Sequence, residues 1–167
     1  MKKPSVQFFE LSELVVGVSP KSGSTSFARA YPEAVRLDPV KNSPRFMSKP
    51  CVYYMRNPLS RLVSAYKFFL TTGKETKHTP GWEILQNFEH FVDYCIDTDN
   101  QHWNPVFPYM GMVSRVKHIK ELKNLVGNRW ENKSGHMSVF INHEAFAKVA
   151  AYWGKDFLIY NQIVDTE

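Results

Sequence analysis

Two short stretches of this chain carry residue types that could hold an anion. The first is Pro20-Lys21-Ser22-Gly23-Ser24-Thr25-Ser26. Gly23 lets the backbone approach a ligand closely. The amides of Gly23 to Ser26, at the start of a helix, would lack intrahelical acceptors and face that ligand. Ser22, Ser24, Thr25 and Ser26 add hydroxyl donors, and Lys21 adds a mobile positive charge. Serine and threonine also cap ordinary helices. A lysine, a glycine and four hydroxyl side chains crowded between Lys21 and Ser26 favour a phosphate-binding loop over a plain cap.

The second stretch runs Arg56-Asn57-Pro58-Leu59-Ser60-Arg61-Leu62-Val63-Ser64-Ala65-Tyr66. Arg56 leaves the end of a strand, and Ser64 lies about two turns into the helix that follows. A tight strand-to-helix turn would let both reach one phosphate. Arg61 is a third candidate, equally able to pair with a carboxylate or sit in solvent. Neither stretch is the common ATP or GTP loop, in which the lysine follows the second glycine. Lys21 precedes Gly23, and Arg56 stands where a nucleotide hydrolase would place a magnesium-binding aspartate.

The elements that must position these turns follow from the apolar pattern. Leu14 to Val18 and Cys51 to Met55 are short β-branched or aromatic runs that read as buried strands. A helix is predicted from Ser24 to Tyr31, limited by Pro32, and another over roughly Leu59 to Leu70, with Pro58 in its first turn. Arg36 to Pro50 holds three prolines and little periodicity, so it reads as mostly loop. Thr71 to Gly81 is a polar loop, Phe88 to Ile96 is helical, and Val113 to Leu125 holds a strand and a short helix. Glu144 to Trp153 reads as the last helix, with Phe146, Val149, Ala150 and Trp153 on its apolar face. Strand, turn, helix, repeated, implies an α/β fold: a P-loop-like three-layer arrangement with a small central parallel sheet flanked by helices. Ligands in such sheets sit at the carboxyl ends of the strands, where both turns lie.

Composition narrows the class. The chain has 167 residues, 43% hydrophobic and 14% aromatic, which suits a single compact domain over 1–167 and excludes a disordered chain. A net charge of +5, from 21 basic and 16 acidic residues, suits an anionic ligand, although scattered surface lysine gives the same excess. The basic residues form no arginine-rich block, so nucleic acid is not the expected partner. Cys51 and Cys95, the only cysteines, are too widely spaced for a disulfide framework or a thiolate metal site. Met1 to Val18 lacks the continuous apolar stretch of a signal peptide or anchor, so the chain reads as cytoplasmic, with no membrane partner.

Taken together, the two turns resemble those of sulfotransferases that use 3′-phosphoadenosine-5′-phosphosulfate (PAPS). Lys21 to Ser26 looks like their 5′-phosphosulfate loop, and Arg56-Asn57-Pro58 with Arg61 and Ser64 like their 3′-phosphate motif. The wording is most similar to the carbohydrate branch, the uronyl 2-O and chondroitin or dermatan types. Weaker echoes follow in order: His102-Trp103-Asn104-Pro105, Asn132-Lys133-Ser134, and Tyr152 through Asp156-Phe157 to Tyr160, which looks like the closing helix and strand. The resemblance implies that Lys21 contacts the phosphosulfate and stabilises charge on the leaving phosphate oxygen. It implies that Pro20 to Ser26 hold the 5′-phosphate and that Arg56 and Ser64 bind the 3′-phosphate. The implied function is in-line transfer of a sulfuryl group from PAPS to a hydroxyl acceptor, a carbohydrate or small alcohol, with no metal required. Departures are Asn57 in place of an aspartate, a chain shorter than typical members, and no histidine between Phe27 and Arg56, where the uronyl 2-O enzymes place their catalytic one.

Such a transfer needs a base, and histidine has a suitable unperturbed pKa. Of His78, His90, His102, His118, His136 and His143, His102 is favoured by its motif setting, although it and Trp103 could equally pack a loop. His78, His136, Glu75 and Glu83 remain alternatives. Phe27, Tyr53, Tyr54, Phe68 and Phe69 read as core, and Trp82, Trp103 and Trp130 as platforms for a sugar ring. The rival functions are a catalytically silent module binding the desulfated product PAP (3′-phosphoadenosine-5′-phosphate), another nucleotide or a sulfated glycan, and a P-loop kinase needing ATP and magnesium.

Overall fold

The computed structural model describes residues 6–38, 42, 48–72, 80–130 and 137–164. Five strands, β1 (Gln7–Glu10), β2 (Val15–Val18), β3 (Val35–Leu37), β4 (Cys51–Met55) and β5 (Arg115–His118), form one sheet in the order β3-β1-β2-β4-β5. β4 pairs in parallel with β2 and β5, Val18 beside Tyr54 and Met55 beside His118. β1 runs antiparallel to both β2 and β3. The sheet is therefore mixed, and the parallel sheet expected from the sequence is only its β2-β4-β5 part.

The helices are α1 (Ser24–Ala30), α2 (Pro58–Thr72), α3 (Trp82–Leu85), α4 (Phe88–Asp97), α5 (Ile119–Val126), α6 (His143–Tyr152) and α7 (Gly154–Val164). Short 3-10 helices occupy Phe107–Met112 and Gly127–Arg129. They cover both faces of the sheet. Phe9, Val16, Val18 and Tyr54 pack on Phe27 of α1 and on Ile119, Leu122 and Val126 of α5. Phe8, Val15, Cys51, Tyr53 and Met55 pack on Val106 and on Ile159, Tyr160 and Ile163 of α7. A third cluster joins α2, α4 and α6 around Trp103, which is 1% exposed.

Three readings of the sequence are corrected here. The chain after Trp153 is the helix α7, not a closing strand, so α6 is not the last helix. On α6 the buried residues are Ala145 and Val149, with Trp153 just beyond, while Phe146 and Ala150 are exposed. α4 packs against α6, and a close helix pair takes the small side chain at its seam. Arg36 lies on β3 and not in a loop. Among the described residues, no helix is long and apolar enough to cross a membrane.

Candidate functional site

The Lys21 turn and the Arg56 turn leave the carboxyl ends of β2 and β4 and open onto one cavity of about 580 Å³. Pro20, Lys21, Gly23, Ser24, Thr25 and Ser26 line it from the first turn, Arg56 and Ser64 from the second, and His102 from the turn after α4. Ser22 is not brought there. It is 1% exposed, and its hydroxyl is the buried side-chain atom left without a hydrogen-bond partner among the described residues.

The first turn explains that difference. Ser22 N–H donates to Ser19 O at 3.0 Å, with Pro20 next and Lys21 at φ 65°. Proline followed by a positive φ is the pattern of a type II turn, whose third position ordinarily takes glycine. A lysine held there carries roughly 1–2 kcal/mol of backbone strain. Gly23 is also left-handed, at φ 89°. Phe27 N–H then makes the first bond of α1, to Gly23 O, so the amides of residues 24–26 fall in a first turn without i−4 acceptors inside the helix.

Gly23 is required on a second count, because a Cβ there would lie 2.4 Å from the ring of Trp130. Gly23→Ala is expected to lose about 1–2 kcal/mol for its left-handed backbone and to displace the indole. Thermal denaturation and tryptophan fluorescence check this. Adding Trp130→Leu would remove the steric part and leave the backbone part.

In the second turn, Asn57 Oδ1 accepts from Ser60 N–H at 3.1 Å and caps α2, which an asparagine does as well as an aspartate. Arg56 Nη1 donates to Lys21 O at 2.7 Å, which ties the two turns together. Burial lowers the Arg56 pKa from its ordinary value, and no carboxylate among the described residues pairs with it. A partly desolvated guanidinium that meets only a neutral carbonyl favours an anion beside it.

Arg61 proves to be structural. It is 3% exposed and donates to Ser19 Oγ at 3.1 Å, Trp103 O at 3.2 Å and Asn104 O at 2.8 Å. Asp156 of α7 lies 3.9 Å from it. Of the alternatives open in the sequence, the carboxylate is the one realised. Arg61 thereby joins the Lys21 turn to the His102 turn from below. Ser19 Oγ also lies 2.6 Å from Tyr53 Oη, and burial pushes that phenol up to about 12.

Phe68, expected in the core, is half-buried and lines the cavity. Lys21 Nζ sits 3.1 Å above its ring centre, and its ring stacks on His102 at 6.2 Å, inclined by 28°. Ser64 and Phe68 share a helix face one turn apart, which puts a donor hydroxyl and this aromatic platform on the same wall. Gln7, Phe9 and Arg36 complete the wall from β1 and β3. Short apolar runs such as β1 and β3 carry little periodicity to mark them.

The remaining candidates fall elsewhere. His118 is buried, caps α5 by accepting from Lys120 N–H, and lies 3.0 Å from Tyr160 Oη. His90 and His143 are exposed in the first turns of α4 and α6, and Glu83 is exposed on α3. His78, His136, Glu75 and the Asn132-Lys133-Ser134 stretch lie outside the described residues. Trp103 is core and not a platform, whereas Trp130 does line the cavity. Both cysteines are buried, and burial pushes the Cys51 thiol up to about 12, so neither supplies a thiolate at neutral pH. Among the described residues, no group of three His, Cys, Asp or Glu is gathered to hold a metal ion. No family model, curated protein or solved structure matches this chain.

Proposed function

We propose that this chain is a sulfotransferase, moving a sulfuryl group from PAPS to the hydroxyl of a carbohydrate or small alcohol. The observation that carries the reading is the shared cavity: the Lys21 turn, Arg56 with Ser64, and His102 all face it. PAPS needs two anion sites, one for the phosphosulfate and one for the 3′-phosphate, and two turns rich in donors supply them. The residues fit the group. Arg56 is a desolvated cation facing no carboxylate among the described residues, and two left-handed residues turn the backbone amides of the first turn.

In this reading Arg56 and Ser64 hold the 3′-phosphate, and residues Pro20 to Ser26 hold the 5′ end. Ser22 shapes the turn and offers no donor there, since its side chain is buried and its backbone N–H is bonded to Ser19 O. Lys21 stabilises negative charge on the leaving phosphate oxygen. His102 accepts the acceptor's hydroxyl proton, and the cavity walls orient the two reactants. PAPS supplies an activated sulfuryl group, so the protein's task is positioning and charge, and activity is expected to persist in chelator.

The deciding experiment is calorimetric titration with PAP and with adenosine 5′-monophosphate. PAP is expected to bind the more tightly, and Arg56→Ala to weaken it by about 10- to 100-fold, the worth of charge-assisted hydrogen bonds to a phosphate. Equal binding of the two nucleotides by the wild type would end the sulfotransferase reading and turn attention to ATP with magnesium.

A further inference from the structure

The turn between α4 and the 3-10 helix at Phe107–Met112 holds His102 in one orientation, and a single buried side chain does most of this. Asn100 is 7% exposed. Its Oδ1 accepts the backbone N–H of His102 at 3.0 Å and lies 3.1 Å from His102 Nδ1. The first bond fixes which end of the amide is the oxygen, because an NH₂ group cannot accept from a backbone N–H. The same oxygen then faces Nδ1, so Nδ1 must carry a proton and donate. That leaves Nε2 as the nitrogen with the lone pair.

Asn100 is itself held. Its own N–H donates to Asn104 Oδ1 at 3.2 Å, and Asn104 Nδ2 donates to Asp99 Oδ1 at 2.6 Å. Its carbonyl accepts the N–H of Trp103 and of Asn104. Arg61 grips the Trp103 and Asn104 carbonyls from the core side. The ring is also fixed by aromatic walls, inclined 28° to Phe68 and perpendicular to Phe69. A turn with this many internal bonds offers its oxygen at a set place and not as one of many rotamers.

We propose that Asn100 is a positioning residue that locks His102 in the Nδ1–H form, so that Nε2 is the nitrogen that takes up the acceptor's proton. The assignment deepens the sulfotransferase reading in naming what the lone pair is for, and rests on that reading in this respect only. A solvated histidine side chain prefers the opposite tautomer, with the proton on Nε2, so the lock has a measurable consequence. Among the described residues, the charged groups that share the cavity with the ring are Lys21, Arg36 and Arg56, and Asp99 and Arg61 bond within its own turn.

The test uses the full chain labelled with ¹⁵N-histidine, with His102→Gln to assign the ring. Long-range ¹H–¹⁵N spectra above the ring's titration are expected to show a protonated Nδ1 and a lone-pair Nε2. The reverse pattern in the wild type overturns the proposal without any variant being made. Asn100→Ala is expected to shift the ring toward the Nε2–H form and to lower kcat by about 10²-fold, the scale of a misplaced general base, with PAP affinity unchanged. Retention of the Nδ1–H form in that variant would also overturn it. Asn100→Asp keeps the acceptor and adds a negative charge, so the acid limb of the pH profile is expected to move to higher pH. Should the tautomer be as stated while PAPS is consumed with no acceptor, the transferase reading fails and the role of Asn100 in setting the tautomer stands.

Discussion

Asp156→Ala is expected to lose about 3–5 kcal/mol of folding stability, the scale of breaking a buried ion pair by removing one partner. The Asp156 carboxylate is 1% exposed and accepts the backbone N–H of Val106 and of Phe107, each at 2.9 Å. It is also the carboxylate nearest the buried Arg61 among the described residues. Alanine would strand two amide donors and a guanidinium in the interior. A domain of ordinary stability, about 5–15 kcal/mol, would be left marginal. Urea denaturation measures this, and a variant as stable as wild type would mean that the Arg61 network does not hold the Lys21 turn to the His102 turn.

The pH dependence separates charge from hydrogen bonding. Burial raises the Asp156 carboxyl above its ordinary value, and Arg61 and the two amides pull it back only in part. The folded state therefore binds this proton more tightly than the unfolded chain does. The contribution is fully present below the unfolded pKa of about 4 and is lost as pH rises through the folded value. Asp156→Asn keeps one acceptor but cannot titrate. Wild type is thus expected to exceed it by most in acid, with the gap narrowing toward neutral pH. A gap that widens toward neutral pH would show the carboxylate to be net stabilising when charged.

How much of this was legible in the sequence depended on local chemistry. β4 (Cys51–Met55) was read to the residue, because its apolar run is bounded by Pro50 and Arg56, and α2 was read almost as well through Pro58. Both turns were legible because each concentrates its donors within a few positions. β1 was missed because it is a central strand: Phe8 and Phe9 are both buried, on opposite faces, so no alternation marks it. With β1 unseen, the antiparallel part of the sheet and the wall made by Gln7 and Arg36 were unseen too.

Tertiary roles were less legible than elements. Arg61 looked like a phosphate ligand as much as a structural cation, since its partners are carbonyls 42 and 43 residues away and an aspartate on the last described helix. Ser22 looked like one hydroxyl among four, and only the Ser19–Ser22 turn shows why it is buried while its neighbours line the cavity. Trp103 and Trp130 looked alike in sequence, both in loops. One became the centre of a helical cluster and the other lies across Gly23.

Under the proposed function, Lys21→Gly is expected to lower the rate of sulfuryl transfer by about 10²- to 10³-fold, the usual worth of a preorganised group at developing charge, while leaving folding stability nearly unchanged. Three terms oppose one another in stability. Glycine relieves the roughly 1–2 kcal/mol held at φ 65°. It gives back about 0.5–1 kcal/mol through a looser unfolded chain. It also forfeits the cation over Phe68, about 0.5–1 kcal/mol at a site this open. These sum to near zero. Lys21→Met removes the charge but keeps the strained backbone, so it should be less stable than the glycine variant and equally slow. Initial rates of PAP formation with an acceptor, set beside thermal denaturation, read both effects. A glycine variant that is slow only because it is unfolded would deny Lys21 its chemical role, as would a folded one of wild-type rate. The lysine stands in a turn position that favours glycine for folding alone, and its ammonium lies on the same ring that stacks on His102.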